Sequence, residues 1–237
     1  MERFINLYPK MNNQIIKLEG VSIDHLDHNV LDNINLSIEK GEFTYLIGDT
    51  GSGKTSLVKS LYAEIKVSAG NINIIDYNLN QITKKDIPML RRKIGIVFQD
   101  FQLLSDRTIG ENLEFVLKST GWKNKKDIDL RIDQVLKKVH LNDSKEKMPY
   151  QLSGGEQQRA AIARAILNKP EIILADEPTG NLDPYISQKI IDLLKEINLT
   201  GTTVLIATHD YEVIKNNKSR IIKCTNKNLQ EISIEEL

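Results

Sequence analysis

The stretch "GDTGSGKTS" (48–56) combines glycines, a lysine and hydroxyl side chains at a spacing suited to phosphate chemistry. It matches G-x-x-x-x-G-K-[ST], in which glycines let backbone N–H groups wrap a phosphate because no Cβ blocks the approach. The pattern predicts that Lys54 bridges the β- and γ-phosphates of a nucleoside triphosphate and that the Thr55 hydroxyl binds Mg²⁺. An ordinary glycine turn would not explain the Lys-Thr pair. The predicted nucleotide-binding residues here are Gly48, Asp49, Thr50, Gly51, Ser52, Gly53, Lys54, Thr55 and Ser56.

Two adjacent carboxylates end the apolar run "IILADEP" (172–178). We expect Asp176, at the end of a buried strand, to hold the Mg²⁺. Neighbouring residues of a strand point to different sides, so Glu177 is predicted to take a separate role, the polarisation of an attacking water. The alternative is a strand capped by solvated acids before a proline turn. The phosphate loop earlier in the chain favours the catalytic interpretation.

A second candidate anion site lies in "QLSGGEQQR" (151–159). A serine and two glycines before an apolar-periodic helix can present free N–H groups and a partial positive charge to an anion. The residues predicted to bind there are Ser153, Gly154, Gly155 and Glu156. An ordinary helix start, with Ser153 as N-cap and Glu156 completing a capping box, is compatible with that role.

The elements around these motifs suggest a sheet protein with helices on it. Short apolar runs bounded by polar residues predict parallel strands that are buried on both faces, whereas alternating runs predict half-buried antiparallel strands. The buried runs are "IGIVF" (94–98), "EIILAD" (171–176) and "TTVLIAT" (202–208), and the alternating ones are "IIKLEGVSI" (15–23) and "VLDNINLSI" (30–38). The strand "FTYLIG" (43–48) enters the phosphate loop, and "KTSLVKSLYAEI" (54–65) is predicted as the helix that follows.

About seventy residues in the middle of the chain lack a convincing strand. Apolar residues with helical spacing predict two amphipathic helices there, and a third helix is expected to begin at Gly155. The periodic residues are Ile109, Leu113, Val116 and Leu117 in the first helix, and Ile128, Ile132, Val135, Leu136 and Val139 in the second. A final pair of short strands is predicted around "TNKN" (225–228).

Composition narrows the classes of function. The chain has 32 Lys and Arg against 32 Asp and Glu, so no net field draws it to nucleic acid or to an anionic membrane. Its single cysteine, Cys224, cannot form an internal disulfide, which favours a reducing cytoplasm. No apolar run approaches the roughly 18 residues of a membrane span. We therefore expect any membrane role to go through a partner.

Taken together, the motifs resemble those of the ATP-binding-cassette (ABC) ATPases. The quoted residues occur in the family's order and approximate spacing from about Ile15 to about Ile222. They are Gly48 to Thr55, Gln99 in "VFQD", "LSGGEQQR" (152–159), "ILADEP" (173–178), "NLD" (181–183) and "THD" (208–210). The resemblance implies an α/β fold of the P-loop NTPase class, an ABC-type nucleotide-binding domain with a mixed core sheet, an antiparallel β subdomain and an inserted helical subdomain.

The resemblance also implies a division of the chain. We expect an N-terminal extension over 1–14 and a helical subdomain over 99–159 that includes the family's signature motif, "LSGGEQQR" (152–159). The ATP-binding α/β core, with its antiparallel β subdomain, is expected over 15–98 and 160–237.

Further roles follow from the resemblance, residue by residue. ABC ATPases form head-to-tail dimers in which the signature of one chain closes over the ATP in the loop of the other, so the two anion sites of one chain would serve two nucleotides. Gln99 matches the residue that senses Mg²⁺ and the attacking water, and His209 matches the switch histidine at the γ-phosphate. Asp183 matches the loop that communicates across the dimer, and it could also be a helix N-cap. The implied catalytic set is Glu177, His209, Gln99 and Lys54, and the implied metal set is Thr55, Gln99 and Asp176.

The adenine position departs from the family's pattern. Family members usually place an aromatic residue there, commonly tyrosine, whereas His25 stands at the aligned position here. An imidazole can stack on adenine but offers less surface than a phenol. A plain surface histidine is the alternative.

Within the family, "LRRKIGIVFQDFQLLSDRTIGENL" (90–113) and "DEPTGNLDP" (176–184) are most similar to the ATPases that act in cell division with a membrane protein. The alternative is a lipoprotein-releasing or macrolide-exporting ATPase. The partner surface is expected at "DFQLLSDRT" (100–108), where Phe101, Leu103 and Leu104 either form a groove for a helix of the membrane protein or pack the helical insertion.

Overall fold

The computed structural model describes residues 13–25 and 28–237, except for the side chain of His25. Most of the predicted 1–14 extension therefore lies outside the described residues. The strands are β1 Gln14–His25, β2 His28–Glu39, β3 Phe43–Ile47, β4 Ala69–Ile74, β5 Tyr77–Asn78, β6 Ile94–Val97, β7 Ile172–Asp176, β8 Thr203–Thr208, β9 Arg220–Thr225 and β10 Asn228–Ile232. The helices are α1 Lys54–Leu61, α2 Ile87–Arg92, α3 Ile109–Ser119, α4 Lys125–Lys138, α5 Gly154–Ala165, α6 Pro184–Asn198 and α7 Tyr211–Lys215.

A six-stranded sheet in the order β10-β9-β3-β8-β7-β6 forms the centre of the protein. Strands β9, β3, β8, β7 and β6 run parallel to their neighbours, and β10 pairs with β9 antiparallel as the second strand of the predicted C-terminal pair. The sheet is therefore mixed, as expected. Because β3, β8 and β7 are adjacent and parallel, the segments that follow them meet at one edge of the sheet.

The central strands are buried on both faces, as their continuous apolar runs predict. In β7, Ile173 packs into one hydrophobic cluster and Leu174 into another. In β8, Ile206 and Leu205 are divided in the same way. The first cluster lies on the side of α3 to α6, and the second on the side of α1 and the antiparallel strands. Both faces of the sheet thus fix the positions of the strand ends.

A second, antiparallel sheet of four strands has the order β2-β1-β4-β5. Strands β1 and β2 were predicted from their alternation, and the long pairing between them confirms it. Strand β4 was missed, since "AGNINI" (69–74) is short and begins with two small residues. Its Ile72 and Ile74 nevertheless pair with β1 and are buried in the second cluster.

Helices α3, α4 and α5 fill the chain between β6 and β7, which confirms the helical insertion predicted from periodicity. The buried stripe of α4 contains Ile128, Ile132, Val135 and Leu136. Helix α5 begins at Gly154, one residue before the predicted start, with Ser153 as its N-cap. The expected boundary between 159 and 160 falls inside α5, and the division into subdomains stays a prediction. No helix in the described ranges is long and apolar enough to cross a membrane.

Helix α1 ends earlier than predicted. The sequence pattern suggested a helix to Ile65, but the helix stops at Leu61 and Ala63 has a positive φ of 56°. The guanidinium of Arg91, near the end of α2, donates to the carbonyls of Tyr62 at 3.0 Å and Ala63 at 3.2 Å. The backbone itself closes the helix in a Schellman motif, because the Ala63 N–H donates to the Ser60 carbonyl at 3.0 Å and the Glu64 N–H to the Lys59 carbonyl at 2.9 Å. Arg91 then binds the carbonyls that follow, which holds the chain in this early turn.

Candidate nucleotide-binding and hydrolysis site

The phosphate loop joins β3 to α1, as the motif predicts. Its backbone is folded tightly: Gly48 has a φ of 148° and Gly53 a φ of 106°. A Cβ at Gly48 would lie 2.4 Å from the carbonyl oxygen of Cys224, so only glycine fits there. Gly53 caps α1 without a side-chain hydrogen bond, and the first turn carries no acidic residue. The N–H groups at this helix start are therefore available to an anion.

Lys54 is already directed along the loop. Its side chain is buried, with 6% of its surface exposed. The ammonium donates to the carbonyl of Gly48 at 2.7 Å and to that of Asp49 at 3.0 Å. These bonds keep a buried positive charge at the loop that needs an anionic ligand. The remaining predicted loop residues, Thr50, Gly51, Ser52, Thr55 and Ser56, lie in the same turn and the first turn of α1.

Two of the three predicted metal ligands are adjacent. The Thr55 hydroxyl donates to Asp176 Oδ1 at 3.2 Å, which joins the start of α1 to the end of β7. Burial raises the pKa of the Asp176 carboxyl, and nearby Glu177 adds to this, against the lowering effects of Thr55, Lys54 and Lys59. A divalent cation would offset the cost of that buried negative charge.

The donor set fits magnesium. Hydroxyl and carboxylate oxygens suit Mg²⁺, which usually takes one or two protein ligands and keeps waters and substrate phosphates. In the described part of the chain, no group of three His, Cys, Asp or Glu side chains could hold a metal ion. Thr55 and Asp176 are thus suited to a metal that arrives with a phosphate ligand.

Gln99, the third predicted metal ligand, has a different neighbour. A Cβ built at Gly180 would lie 3.1 Å from Gln99 Nε2, so the amide packs against that glycine. The side chain of Asn181 donates to the Gln99 carbonyl at 3.2 Å. Among the described residues no hydrogen bond joins Gln99 to Thr55 or Asp176. The metal role of Gln99 stays a prediction.

Glu177 lies beyond the strand, which corrects the reason given for its separate role. We expected strand alternation to separate it from Asp176, but β7 ends at Asp176 and Glu177 has a φ of 49°. Its N–H donates to the Ala207 carbonyl at 2.8 Å. A left-handed conformation is costly for a residue with a side chain and persists where the surroundings fix it. The left-handed turn at Glu177 therefore sets the direction of its carboxylate, and the alternation of side chains along β7 does not.

The carboxylate of Glu177 is held by the segment after β8. His209 Nδ1 lies 2.7 Å from Glu177 Oε1, and the Thr208 hydroxyl donates to Oε2 at 3.1 Å. The same hydroxyl accepts from the N–H of Asp210 at 3.0 Å. The structure thus brings the predicted base and the predicted switch histidine together. Thr208 was missed as a site residue, although its place before His209 in "THD" was the available signal.

The 153–156 segment forms the expected capping box. The Glu156 carboxylate accepts from the Ser153 N–H at 2.9 Å and from its hydroxyl at 2.7 Å, and the Glu156 N–H donates back to Ser153 Oγ at 3.4 Å. These bonds from Ser153 lower the pKa of Glu156. Within the described residues no hydrogen bond or ion pair links this segment to the phosphate loop. Among the described residues, the two anion sites of one chain therefore share no direct bond.

The loop that contains Asp183 lies against the signature. The Asp183 carboxylate accepts from the Ile186 N–H at 3.0 Å and caps α6, as predicted. A Cβ at Gly155 would lie 2.6 Å from Ile186 Cγ2, and one at Gly154 would lie 3.4 Å from Leu182 Cδ2. The absence of a side chain at Gly155 lets these segments approach each other, whereas a Cβ at Gly154 would make only an ordinary contact.

Arg164 is a second residue that sequence reasoning missed. From α5 it donates to the carbonyls of Gln102 and, at 2.9 Å, Phe101, whose φ values of 49° and 58° are left-handed. Desolvation lowers the pKa of this guanidinium. Arg164 thus fixes the loop after Gln99 onto the signature helix, and nothing in its helical spacing indicated this. His25, the predicted adenine-stacking residue, has its side chain outside the described residues.

Comparison with known proteins gives the family of the chain. Residues 31–180 match the ABC transporter family. The chain therefore belongs to the ABC transporter family.

Within that family it is similar to the cell-division ATP-binding protein FtsE. The FtsE of Streptococcus pneumoniae is 45% identical over 83% of this chain and 85% of its own length. The FtsE of Bacillus subtilis is 46% identical over 81% of this chain and 84% of its own length.

A solved ATP-binding cassette, a dimer in a post-hydrolysis state bound to ADP and Pi, superposes with a TM-score of 0.81. It is 35% identical, and the match covers 92% of this chain and 98% of that one. The expectation of an α/β P-loop fold and an ABC-type ATPase is confirmed.

Proposed function

We propose that the chain is the ATP-binding and hydrolysing subunit of an FtsEX-like membrane complex in cell division and cell-wall remodelling. The observation that carries the proposal is the set of residues at the carboxyl ends of β3, β7 and β8. There a phosphate loop, the Thr55–Asp176 contact and the Glu177–His209 contact share one edge of the sheet. The similarity to FtsE proteins supports the cell-division role.

ATP is the proposed substrate, and the loop residues hold its triphosphate. The loop N–H groups and the Lys54 ammonium bind the phosphate oxygens. Thr55 and Asp176 would hold Mg²⁺, with Gln99 as a further proposed ligand. When bound, the ion neutralises charge on the phosphate oxygens. His25 is proposed to stack on the adenine.

Glu177 is the proposed general base. It accepts a proton from a water whose oxygen attacks the γ-phosphorus, and ADP leaves. Thr208 and His209 contact both carboxylate oxygens and so set the direction in which Glu177 faces. The His209 side chain is 54% exposed, and it is proposed to contact the γ-phosphate as well.

Two copies of the chain are proposed to share two nucleotides. The phosphate loop surrounds the triphosphate from one side, which leaves the outer face of the γ-phosphate to Ser153, Gly154 and Gly155 of a second copy. ATP can favour the closed dimer only by contacting both copies, and hydrolysis removes those contacts. Asp183 lies beside the signature and is proposed to communicate across the dimer.

Replacement of the base tests the switch. Glu177→Gln removes the proton acceptor but keeps the shape of the side chain, so we expect hydrolysis to fall by about 100-fold or more. The variant should accumulate as an ATP-bound dimer, measured by light scattering during gel filtration with and without ATP. If it stays monomeric at saturating ATP while hydrolysis is lost, the shared site is wrong.

The proposed membrane partner is an FtsX-like integral protein that holds this subunit at the inner face of the membrane. Residues 100–108 are the proposed contact. Leu103 packs against the first hydrophobic cluster, on the side of α3 to α6, whereas Leu104 is 38% exposed. No nucleic-acid partner is proposed.

A double change tests this surface. Phe101→Gln with Leu104→Gln should preserve ATP hydrolysis and abolish co-purification with the membrane protein. Leu130→Gln, at a leucine of α4 that is 59% exposed, is the matched control and should leave both unchanged. Retained co-purification by the double variant would contradict this contact. Co-purification of a permease with a large periplasmic domain would favour a lipoprotein-releasing or macrolide-type exporter.

A further inference from the structure

The end of β9 lies directly behind the phosphate loop and contacts it at two points. The Cys224 thiol donates to the Ser52 carbonyl at 2.9 Å. The Cys224 carbonyl oxygen occupies the space that a Cβ at Gly48 would need, at 2.4 Å. Cys224 is 1% exposed, so both contacts are shielded from solvent. One residue of a neighbouring strand thus supports both ends of the loop.

We propose that Cys224 is a positioning residue for phosphate binding, because its thiol fixes the orientation of the peptide unit between Ser52 and Gly53. This inference rests on the proposed binding of ATP. A trans peptide unit is planar, and its C=O and N–H point in opposite directions. Holding the Ser52 carbonyl toward β9 therefore directs the Gly53 N–H away from β9, toward the concave side of the loop.

This peptide unit needs an external anchor. Gly53 has a φ of 106°, and glycine tolerates many backbone conformations, so the unit could rotate at little cost. The first half of the loop is held by Lys54, which binds the carbonyls of Gly48 and Asp49. The second half has one such contact: outside the loop and α1, Cys224 is the described residue whose side chain hydrogen-bonds to the loop backbone.

The chemical state of the cysteine suits this role. Burial raises the pKa of the Cys224 thiol, which keeps it protonated and able to donate at neutral pH. A serine hydroxyl can donate to the same carbonyl, whereas an alanine cannot. A comparison of Cys224→Ser with Cys224→Ala therefore separates the effect of the hydrogen bond from that of packing.

The test compares Cys224→Ala with Cys224→Ser in the full chain, with MgATP affinity measured by titration calorimetry. We expect Ala to weaken binding about fivefold and Ser to restore it to within about twofold. KM for ATP should rise with Ala while kcat at saturating ATP stays the same. Ile222→Val is the matched control, since Ile222 is buried in the same strand, and it should lower thermal stability without changing affinity.

Wild-type affinity in the Ala variant, or equal loss in Ala and Ser, would overturn the role of Cys224. A wild-type protein that binds no MgATP would overturn the proposed function itself. A second measurement needs no variant, because the chain has one cysteine. Alkylation of the wild-type thiol should slow several-fold at saturating MgATP, since the ligand holds the loop closed over it. A rate unaffected by MgATP would contradict the inference.

Discussion

The two anion sites of the chain differ in what already occupies their hydrogen-bond donors. At the phosphate loop, α1 begins without a side-chain cap and Lys54 is buried beside it. At the signature, α5 begins with a complete capping box in which the Glu156 carboxylate takes both the N–H and the hydroxyl of Ser153. The loop is thus prepared for phosphate, while Ser153 of the signature is already bonded to Glu156 of its own chain.

This difference suggests an order of events. The loop can bind the triphosphate without help, because α1 begins without a side-chain cap and the Lys54 ammonium is already fixed in place. The Ser153 hydroxyl must exchange the carboxylate of Glu156 for a phosphate oxygen before it contributes. Such an exchange is favourable only when a phosphate is held opposite it, which requires the loop of a second copy.

The largest effect is expected at the loop. Lys54→Met keeps most of the side-chain length but removes the buried charge, and we expect ATP affinity to fall roughly 100-fold. Equilibrium titration with a fluorescent ATP analogue measures this, and thermal unfolding without nucleotide checks the fold. Unchanged affinity would show that the triphosphate does not lie in the loop.

A smaller effect is expected at the signature motif, and it should fall on hydrolysis rather than on ATP affinity. Ser153→Asp retains a good N-cap but places a negative charge against the phosphate, so hydrolysis should fall about tenfold or more. ATP affinity of the single chain should stay within about twofold. Thr108→Asp is the matched control, because Thr108 begins α3 with the same kind of capping box. Equal loss of hydrolysis in both variants would show a helix-capping effect only.

The carboxylates of Asp176 and Glu156 should contribute to the stability of the folded protein with opposite dependence on pH. The Asp176 pKa is raised by burial, so its ionisation destabilises the folded protein at neutral pH. Asp176→Asn should therefore raise Tm without nucleotide at pH 7, by about 2–4 °C per kcal/mol of burial cost. The gain should disappear as pH falls through the raised pKa toward the ordinary value of Asp. A gain that persists in strong acid would contradict this cause.

The smallest effect is expected at Glu156. Its pKa is lowered by bonds from Ser153, so its stabilising contribution is present above the ordinary value of Glu and lost as pH falls through the lowered pKa. Glu156→Gln should lower Tm slightly at pH 7 and tighten ATP-dependent dimerisation, because no anion then competes for Ser153. The matching change in α3, Glu111→Gln, should leave dimerisation unchanged. Weaker dimerisation in Glu156→Gln would refute the competition.

Sequence patterns predicted the elements whose apolar residues face a core. Strands β7 and β8 and helices α3 and α4 were found because burial fixes their periodicity. The early end of α1 was missed, since it depends on a left-handed conformation of Ala63, which alanine rarely adopts, and on Arg91 in another helix. Short strand β4 was missed because pairing with β1 stabilises it more than its own composition does.

The residues of the site also differ in whether local sequence or distant contacts determine their positions. The phosphate loop, Asp176 and the Ser153 cap were predicted, because local motifs specify them. The turn at Glu177 was not, since the left-handed backbone there depends on its bond to Ala207. Thr208 and Arg164 act through contacts with residues far away in sequence, which no spacing along the chain encodes.

The most direct test of the shared site mixes two impaired variants, Lys54→Met and Ser153→Asp, and measures ATP hydrolysis. In a mixed dimer one site combines the intact loop of the Ser153→Asp chain with the intact signature of the Lys54→Met chain. Hydrolysis should therefore return on mixing and rise with the fraction of mixed dimers. Activity that remains at the level of the separate variants, with mixed dimers demonstrated by differently tagged chains, would contradict a nucleotide shared between two copies.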